Sequence, residues 1–440
     1  MQSQQAARGG ENRSEPEHVN RAGTAMLEEM MEKAVSPMNW EAALYAVERN
    51  DGAPGPDGMR AKELRAHLEK NGRTIKERLL EGSYRPGAAR RKEIAKPDGG
   101  TRPLSIPNVQ DRFVQHLLLG VMQPIFEEQF SESSYGFRPM RSAQDAVKAA
   151  KAHAETGHTY VVDMDIKKFF DRVNHDILMS KIGKVVRDKR VLQIVGRFLR
   201  AGVVMPDGLA VSSEEGTPQG GPLSPLLANI YLDALDKELE RRGLKFARYA
   251  DDCNIYVSSE KAAKRAKESI TEWLKRKLRL EVNESKSGIG RPWERKFLGF
   301  TFTAALLITI ASSSLGKFKE QVRELWEARQ SKSSVELRDQ WKSYVQGWWG
   351  YYRLSEWRRP IFDTEGWIRR RIRCCFWQRW HSSAGRQAAL RRMGVPAERA
   401  RMGSSSKGAW AMARHAVMNE ALSNATLKKW EFVMPSQLGK

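Results

Sequence analysis

The sequence predicts an α+β fold in which an antiparallel sheet with its helices precedes an α-helical C-terminal region. Three observations carry this expectation. Thr159 to Ile166 alternates as a half-buried strand does, with Tyr160, Val162 and Met164 on one face and Val161, Asp163 and Asp165 on the other. Two more strand candidates, Phe246 to Tyr249 and Asn254 to Val257, are separated only by Ala250, Asp251, Asp252 and Cys253, so the acidic pair is expected in a tight turn. Beyond about residue 303 the texture changes to basic helices, and nine of the thirteen tryptophans lie at or beyond Trp341.

Taken in order, residues 1–24 carry almost no large apolar side chain and cannot offset the entropy of ordering, which predicts a disordered tail. Met26 to Leu80 is helical in pattern, interrupted by the loop Asp51-Gly52-Ala53-Pro54-Gly55-Pro56-Asp57-Gly58. Arg90 to Ala95 and Arg102 to Ile106 flank Lys96-Pro97-Asp98-Gly99-Gly100, which reads as a hairpin with a basic tip. A helix over Pro225 to Arg242 is signalled by Ser224 as N-cap, Pro225 at its first position and Gly243 past its end, with Leu227, Ile230, Ala234 and Leu235 as a core stripe. In the C-terminal region Phe318, Val322 and Leu325 mark one helix, and Leu337, Trp341, Val345 and Trp348 a second. Ile368, Ile372 and Phe376 mark a third, flanked by Arg369, Arg370, Arg371 and Arg373. Within residues 303–314, Leu306 to Ile310 is apolar and reads as a strand without an assigned role.

The 440 residues are 40% hydrophobic, enough for several cores, and 75 Lys plus Arg against 53 Asp plus Glu leave a net charge of +22. A polyanionic partner is the simplest reason for such an excess. No apolar run approaches the ~18 residues of a membrane span, and the polar N-terminus lacks a secretory core, so a soluble cytoplasmic protein without a membrane partner is expected. Cys253, Cys374 and Cys375 form neither a disulfide framework nor a C-x-x-C zinc pair.

Asp165 and the pair Asp251-Asp252 are carboxylates at strand ends, and by itself an Asp-Asp pair at a hairpin turn is more often solvated turn chemistry than a metal site. Their surroundings narrow the choice. Arg248-Tyr249-Ala250-Asp251-Asp252 resembles the palm signature of group II intron-encoded reverse transcriptases and maturases. The string Gly216-Thr217-Pro218-Gln219-Gly220-Gly221-Pro222-Leu223-Ser224-Pro225-Leu226-Leu227-Ala228-Asn229-Ile230 resembles the family's loop and helix before the catalytic hairpin. Ser134-Tyr135-Gly136-Phe137-Arg138-Pro139, Asp165-Ile166-Lys167-Lys168-Phe169-Phe170-Asp171 and Phe297-Leu298-Gly299-Phe300 resemble further blocks in the expected order. The resemblance spans roughly residues 25–435 and is strongest between Lys96 and Phe300.

It implies a right-hand polymerase, with fingers and palm followed by a helical thumb, that extends a primer on an RNA template and assists splicing and mobility of a group II intron. Asp165, Asp251 and Asp252 would be catalytic. Asp165, Asp251 and the carbonyl of Ile166 would hold two Mg²⁺ ions, with Mn²⁺ as a substitute and Asp252 supporting the second position; Asp163 shares a strand face with Asp165, and the balance is against its contributing. These ions would lower the pKa of the primer 3′-hydroxyl and neutralise the leaving pyrophosphate. By the same resemblance Lys96, Arg102, Phe170, Gln219 and Lys286 contact the incoming dNTP, Phe170 excluding a 2′-hydroxyl. Arg369, Arg370, Arg371 and Arg373 are assigned to the RNA backbone, while core packing is the better reading of the tryptophans. The implied partners are intron or other template RNA, DNA primer and target DNA, and dNTPs, with the oligomeric state open.

The expected division is a tail (1–24), an N-terminal extension (25–82), fingers and palm (83–302), thumb or maturase region (303–394) and a DNA-binding segment (395–440). The His, Asn and Cys constellation of an endonuclease module is absent, so target-strand cleavage is not expected. Two other readings stay open: a splicing chaperone without polymerase activity, against which the three aspartates stand intact, and a domesticated polymerase in DNA repair or phage defence.

Overall fold

The computed structural model describes residues 28–95, 100–205, 207–211, 215–217, 219–404 and 408–438. The expected tail and Lys96 lie outside the described residues. The hairpin expected around Pro97-Asp98-Gly99 is formed by β1 (Ala89–Ala95) and β2 (Thr101–Ile106), antiparallel from Arg90↔Ile106 to Ala95↔Thr101. β3 is Tyr160–Asp165. Two strands of two residues each, β4 (Val203–Val204) and β5 (Ala210–Val211), extend the hairpin to a sheet of order β2-β1-β4-β5, with β4 parallel to β1. Strands so short carry no periodicity, and none was expected there.

A second sheet has the order β6-β7-β3-β8, where β6 is Lys245–Tyr249, β7 Asp252–Val257 and β8 Gly288–Gly290. The apolar run after Thr303 supplies β10 (Ile308–Ile310), antiparallel to β9 (Phe300–Phe302).

The chain forms two compact units: residues 1–142, 163–255 and 264–288, and residues 143–162, 256–263 and 289–440. In the first, helices Pro37–Asn50 and Val109–Glu127 pack with the Trp40 ring edge-on to Phe113 at 4.7 Å. The loop expected after Asn50 is present, and Arg112 holds it by donating to the Ala53 carbonyl at 2.6 Å.

The unit's central helix is Ser224–Arg241. Its cap is Leu223 rather than the expected Ser224, because the preceding loop already turns at Gly221, whose carbonyl accepts the Ser224 N–H at 3.2 Å. Gly243, at φ 67°, takes the left-handed conformation that ends the helix, and Leu244 N–H closes it on the Leu239 carbonyl. Burial reaches well beyond the expected stripe, taking in Leu226, Ala228, Tyr231, Leu232 and Asp236, while Ala234 is half-buried.

The second unit is built on helices Ser312–Leu325, Ser334–Tyr352 and Arg359–Arg379. Ser333 and Glu336 form a reciprocal capping box that starts the second of these. Trp326, Trp341, Trp349 and Trp377 are buried in its core, as the core reading of the tryptophans expects. The same core continues through Val395, Met412, Met418, Leu427 and Met434, and Trp341 Nε1 donates to the Val433 carbonyl at 2.7 Å. The expected boundary near residue 395 therefore does not break the core. Among the described residues no helix is long and apolar enough to cross a membrane.

Candidate active site

β3 delivers Asp165 at its end, and the following residue bridges Val282. That bridge is closed by Asn283 N–H donating to the Asp165 carbonyl (2.8 Å) and Lys167 N–H donating to the Glu281 carbonyl (2.9 Å). Because an antiparallel ladder alternates its bonding edge, the Ile166 carbonyl turns to the opposite edge, toward β7. The Asp165 carboxylate accepts the Asn283 side-chain amide at 2.9 Å, and its N–H donates to Ser287 Oγ at 2.9 Å.

Asp251 sits in the turn between β6 and β7, half-buried, whereas Asp252 is already the first residue of β7 and is exposed. The turn is thus two residues, Ala250 and Asp251, where the sequence suggests four. It rests on Ala250 at φ 58°, a left-handed conformation that costs a residue with a Cβ about 1–2 kcal/mol. What holds it lies beneath. Arg248, wholly buried, donates to the Ala250 carbonyl (2.9 Å), to both carboxylate oxygens of Asp236, to Asn229 Oδ1 (3.2 Å) and to Ser134 Oγ (2.8 Å). Asn229 in turn donates to the Gly136 carbonyl at 2.8 Å, and a Cβ on Gly136 would collide with the Ala250 nitrogen. Every donor and acceptor of the ion pair is engaged, which is the condition for a buried pair to hold geometry.

Burial pushes the Asp251 carboxyl above its ordinary value, and the Asp165 charge adds to this, while the Arg102 and Arg248 guanidiniums pull the other way. Two carboxylates, the charge of Asp165 raising Asp251, with a carbonyl directed to the same edge, are a donor set of hard oxygens that fits Mg²⁺ or Mn²⁺ and does not fit zinc. Among the described residues no group of three or more His, Cys, Asp or Glu side chains could hold a metal.

The glycine-rich loop lies alongside. Ser105 N–H donates to the Gln219 carbonyl at 2.6 Å, and Gly220 at φ 119° presses so closely on β2 that a Cβ would sit 2.5 Å from the Ser105 carbonyl. Thr217 N–H donates to the Phe170 carbonyl (2.7 Å) and His175 Nε2 to the Gly216 carbonyl (2.6 Å), which tie the loop's start to the segment after β3. Gln219 is consequently brought to Arg102, whose Nε donates to its Oε1 at 2.9 Å, and to Asp171, 3.5 Å from its Nε2. The tandem phenylalanines separate cleanly. Phe169 is buried against Tyr231, and Phe170, half-buried, meets it edge-on at 5.2 Å. Lys286 is exposed in the turn between Asn283 and Ser287.

In the second unit the structure gives three of the four arginines partners within the chain. Arg369 pairs with Glu365 at 2.9 Å. Arg370 lies 3.7 Å from the Trp410 ring centre and donates to the Trp410 carbonyl. Arg373, buried, donates to the Leu422 carbonyl and Asn424 Oδ1. Arg371 is half-buried with its centre 5.8 Å from the same Trp410 ring.

Sequence reasoning missed Asp236, Asn229, Ser134, Asn283 and Ser287. Ser134 and Asn229 lie inside the strings quoted above, and an Asp in the middle of an apolar helix stripe was the available signal for Asp236.

Residues 94–302 match the family "Reverse transcriptase (RNA-dependent DNA polymerase)", and residues 315–394 match "Group II intron, maturase-specific domain". The chain is 34% identical over 274 residues to Protein YkfC of Escherichia coli (strain K12), covering 54% of this chain and 72% of that protein. It is 39% identical over 171 residues to the group II intron-encoded protein LtrA of Lactococcus lactis subsp. cremoris, covering 39% of this chain and 28% of LtrA. A 91 kDa protein in the cob intron of Schizosaccharomyces pombe is 37% identical over 166 residues, 38% of this chain and 20% of that protein. The matched segment thus spans most of YkfC and about a quarter of the intron-encoded relatives. With both domains present in this order, the chain belongs to the group II intron-encoded reverse transcriptases and maturases.

Proposed function

We propose that this chain carries its family's RNA-directed DNA polymerase activity on Asp165 and Asp251, extending a DNA primer on an RNA template with dNTPs, and that it assists splicing and mobility of a group II intron. The observation that carries the proposal is the convergence of the two carboxylates at adjacent strand ends, close enough for the charge of Asp165 to raise Asp251. Divalent ions held there with the Ile166 carbonyl would activate the primer 3′-hydroxyl and neutralise the departing pyrophosphate.

The chain's own residues do the rest. Asn283 and Ser287 fix Asp165, Arg248 fixes the turn of Asp251, and Asp252 supports the second carboxylate position from the start of β7. Arg102 and Gln219, already in contact, offer a cation and a carboxamide to the triphosphate and the nascent base pair, with Lys96 and Lys286 as further cations. Phe170 presents its ring where a sugar 2′-hydroxyl would clash. In the maturase domain Arg369, Arg370, Arg371 and Arg373 face RNA phosphate.

Primer extension on an RNA template with dNTPs and Mg²⁺ tests the reading. The wild-type chain should extend the primer, and Asp251→Asn should fall by about 10³-fold or more, a loss of about 4 kcal/mol in barrier lowering. Equal extension by the two proteins would remove Asp251 from the chemistry.

A further inference from the structure

Residues 131–141 run along the free edge of β6, beside the turn that carries Asp251. Ser134 bridges Arg248 in parallel, the Arg248 N–H donating to the Ser133 carbonyl (2.9 Å) and the Tyr135 N–H to the Arg248 carbonyl (2.8 Å). Arg138 staples the segment from below: its buried guanidinium donates to Glu127 (2.8 Å) and to the carbonyls of Ser131 (2.5 Å) and Ser134 (2.8 Å). On this fixed segment Phe137 is out of place. It is 46% exposed, and its backbone, at φ 60°, lies in the left-handed region that a residue with a Cβ disfavours. A polar residue would be better solvated there, and glycine would relieve the backbone. Strain of this kind persists where the surroundings impose it, and it concentrates at functional sites.

Arg248 sends its side chain to Asp236 and Asn229 on helix Ser224–Arg241, so strand alternation turns Tyr249 to the opposite face of the sheet. The Phe137 ring joins it there, the two centres 6.4 Å apart and the planes tilted by 44°. Together they make an apolar ledge beside the Gly136–Ala250 contact, with Tyr249 two residues before Asp251. The segment that carries Phe170 follows β3, two strands away from this edge in the order β6-β7-β3. The ledge and the nucleotide-facing groups therefore flank the carboxylates from different sides. A primer whose 3′-hydroxyl reaches an ion on Asp251 lays its last base pair against the ledge. A polymerase has to accept all four pairs at that position, so the contact must be blind to sequence. The minor-groove edge is nearly alike in the four pairs, and in an A-form helix it is wide and shallow. A phenyl ring has no donor or acceptor and reads only the shape of that edge.

On the polymerase reading of Asp165 and Asp251, we propose that Phe137 is a specificity-determining residue whose ring packs on the minor-groove edge of the last primer–template pair and distinguishes a paired 3′ end from a mispaired one. The staple by Arg138 and the close approach of Gly136 to Ala250 hold the ring in register with the turn of Asp251, so a distorted terminal pair loses the contact at the moment it is presented for extension.

The test uses the full chain with a DNA primer annealed to RNA, its 3′ end matched or mispaired, and a non-extendable duplex carrying 2-aminopurine in the terminal pair. Phe137→Ala should raise the KM for primer–template by roughly 10-fold with the dNTP KM unchanged, and should lower the preference for a matched over a mispaired end by roughly 10-fold. Phe137→Leu, which keeps an apolar surface, should recover most of that preference. Phe137→Gly should lose as much as Phe137→Ala yet melt no lower than it, because glycine is at ease at φ 60°. Bound 2-aminopurine should be brighter with Phe137→Ala than with the wild type, since the terminal pair is no longer held stacked. An unchanged primer–template KM and an unchanged preference in the folded Ala and Gly variants would overturn the assignment, as would a loss confined to the dNTP KM. Without extension by the wild type the polymerase reading fails, and the 2-aminopurine difference still decides whether Phe137 touches the terminal pair.

Discussion

Arginine does opposite things in the two compact units. Arg248 is sealed in the first unit with Asp236, and all of its bonds serve to hold a turn that presents Asp251. Arg370 and Arg373 are equally well anchored in the second, yet their anchors are an indole ring and carbonyl or amide oxygens, so their charge remains. A guanidinium becomes scaffold where a neighbouring helix supplies a carboxylate and remains a potential ligand where it does not. The contrast also locates part of the work of the +22 charge: the cations of the catalytic unit include structural ones, and counting them overstates the surface available to a polyanion.

The largest expected effect tests the scaffold side. Arg248→Met should destabilise the protein by about 3–5 kcal/mol in urea unfolding, because Asp236 is left charged and buried, and adding Asp236→Leu should restore much of that loss. A single variant as stable as the wild type would mean that the pair does not hold the turn.

A buried carboxyl with no ion pair among the described residues offers the opposite case. Burial pushes Asp111 up to about 6, against hydrogen bonds from Tyr84, Gly87 and Asn108. Its folded value stands above the unfolded one, so the folded state holds the extra proton. The resulting stabilisation is full below about pH 4 and is lost as pH rises through about 6, a change of about 3 kcal/mol at most. Asp111→Asn should flatten this decline, measured as unfolding midpoints between those pH values, and an unaltered decline would assign it to other groups.

Asn283→Ala removes a neutral support from Asp165 and should weaken Mg²⁺ dependence of primer extension by about 10–100-fold, as loss of a ligand's hydrogen-bonding partner does at other metal sites. Saturation at wild-type Mg²⁺ would show that the strand alone positions Asp165. The smallest effect concerns Phe170. Phe170→Ala should reduce dNTP over NTP discrimination by roughly 10-fold in single-nucleotide incorporation, with dNTP use largely kept, and undiminished discrimination would remove the ring from the sugar contact.

The strands and the placement of Asp165 and Asp251 at their ends were legible in the sequence because alternation and turn residues are local signals. The identity of the supports was not. Asp236 meets Arg248 only because one face of helix Ser224–Arg241 lies under β6, and Asn283 reaches Asp165 only because the turn after Val282 folds back along β3. Neither follows from spacing. The arginine run on helix Arg359–Arg379 shows the converse: its charge was plain, but which heads are tied down depends on Trp410, Leu422 and Asn424 returning to that helix from a later segment. Buried polar residues inside apolar patterns, such as Asp236 and Asn229, were the readable trace of such tertiary pairing.

The central claim is that Asp165 and Asp251 together create the divalent-ion site. Mn²⁺ titration followed by electron paramagnetic resonance, on the full chain with an annealed primer–template and a non-incorporable dNTP analogue, reads that site directly. The account predicts roughly two tightly bound ions per chain in the wild type and loss of tight binding in Asp165→Asn with Asp251→Asn. Undiminished tight binding in the folded double variant would contradict it.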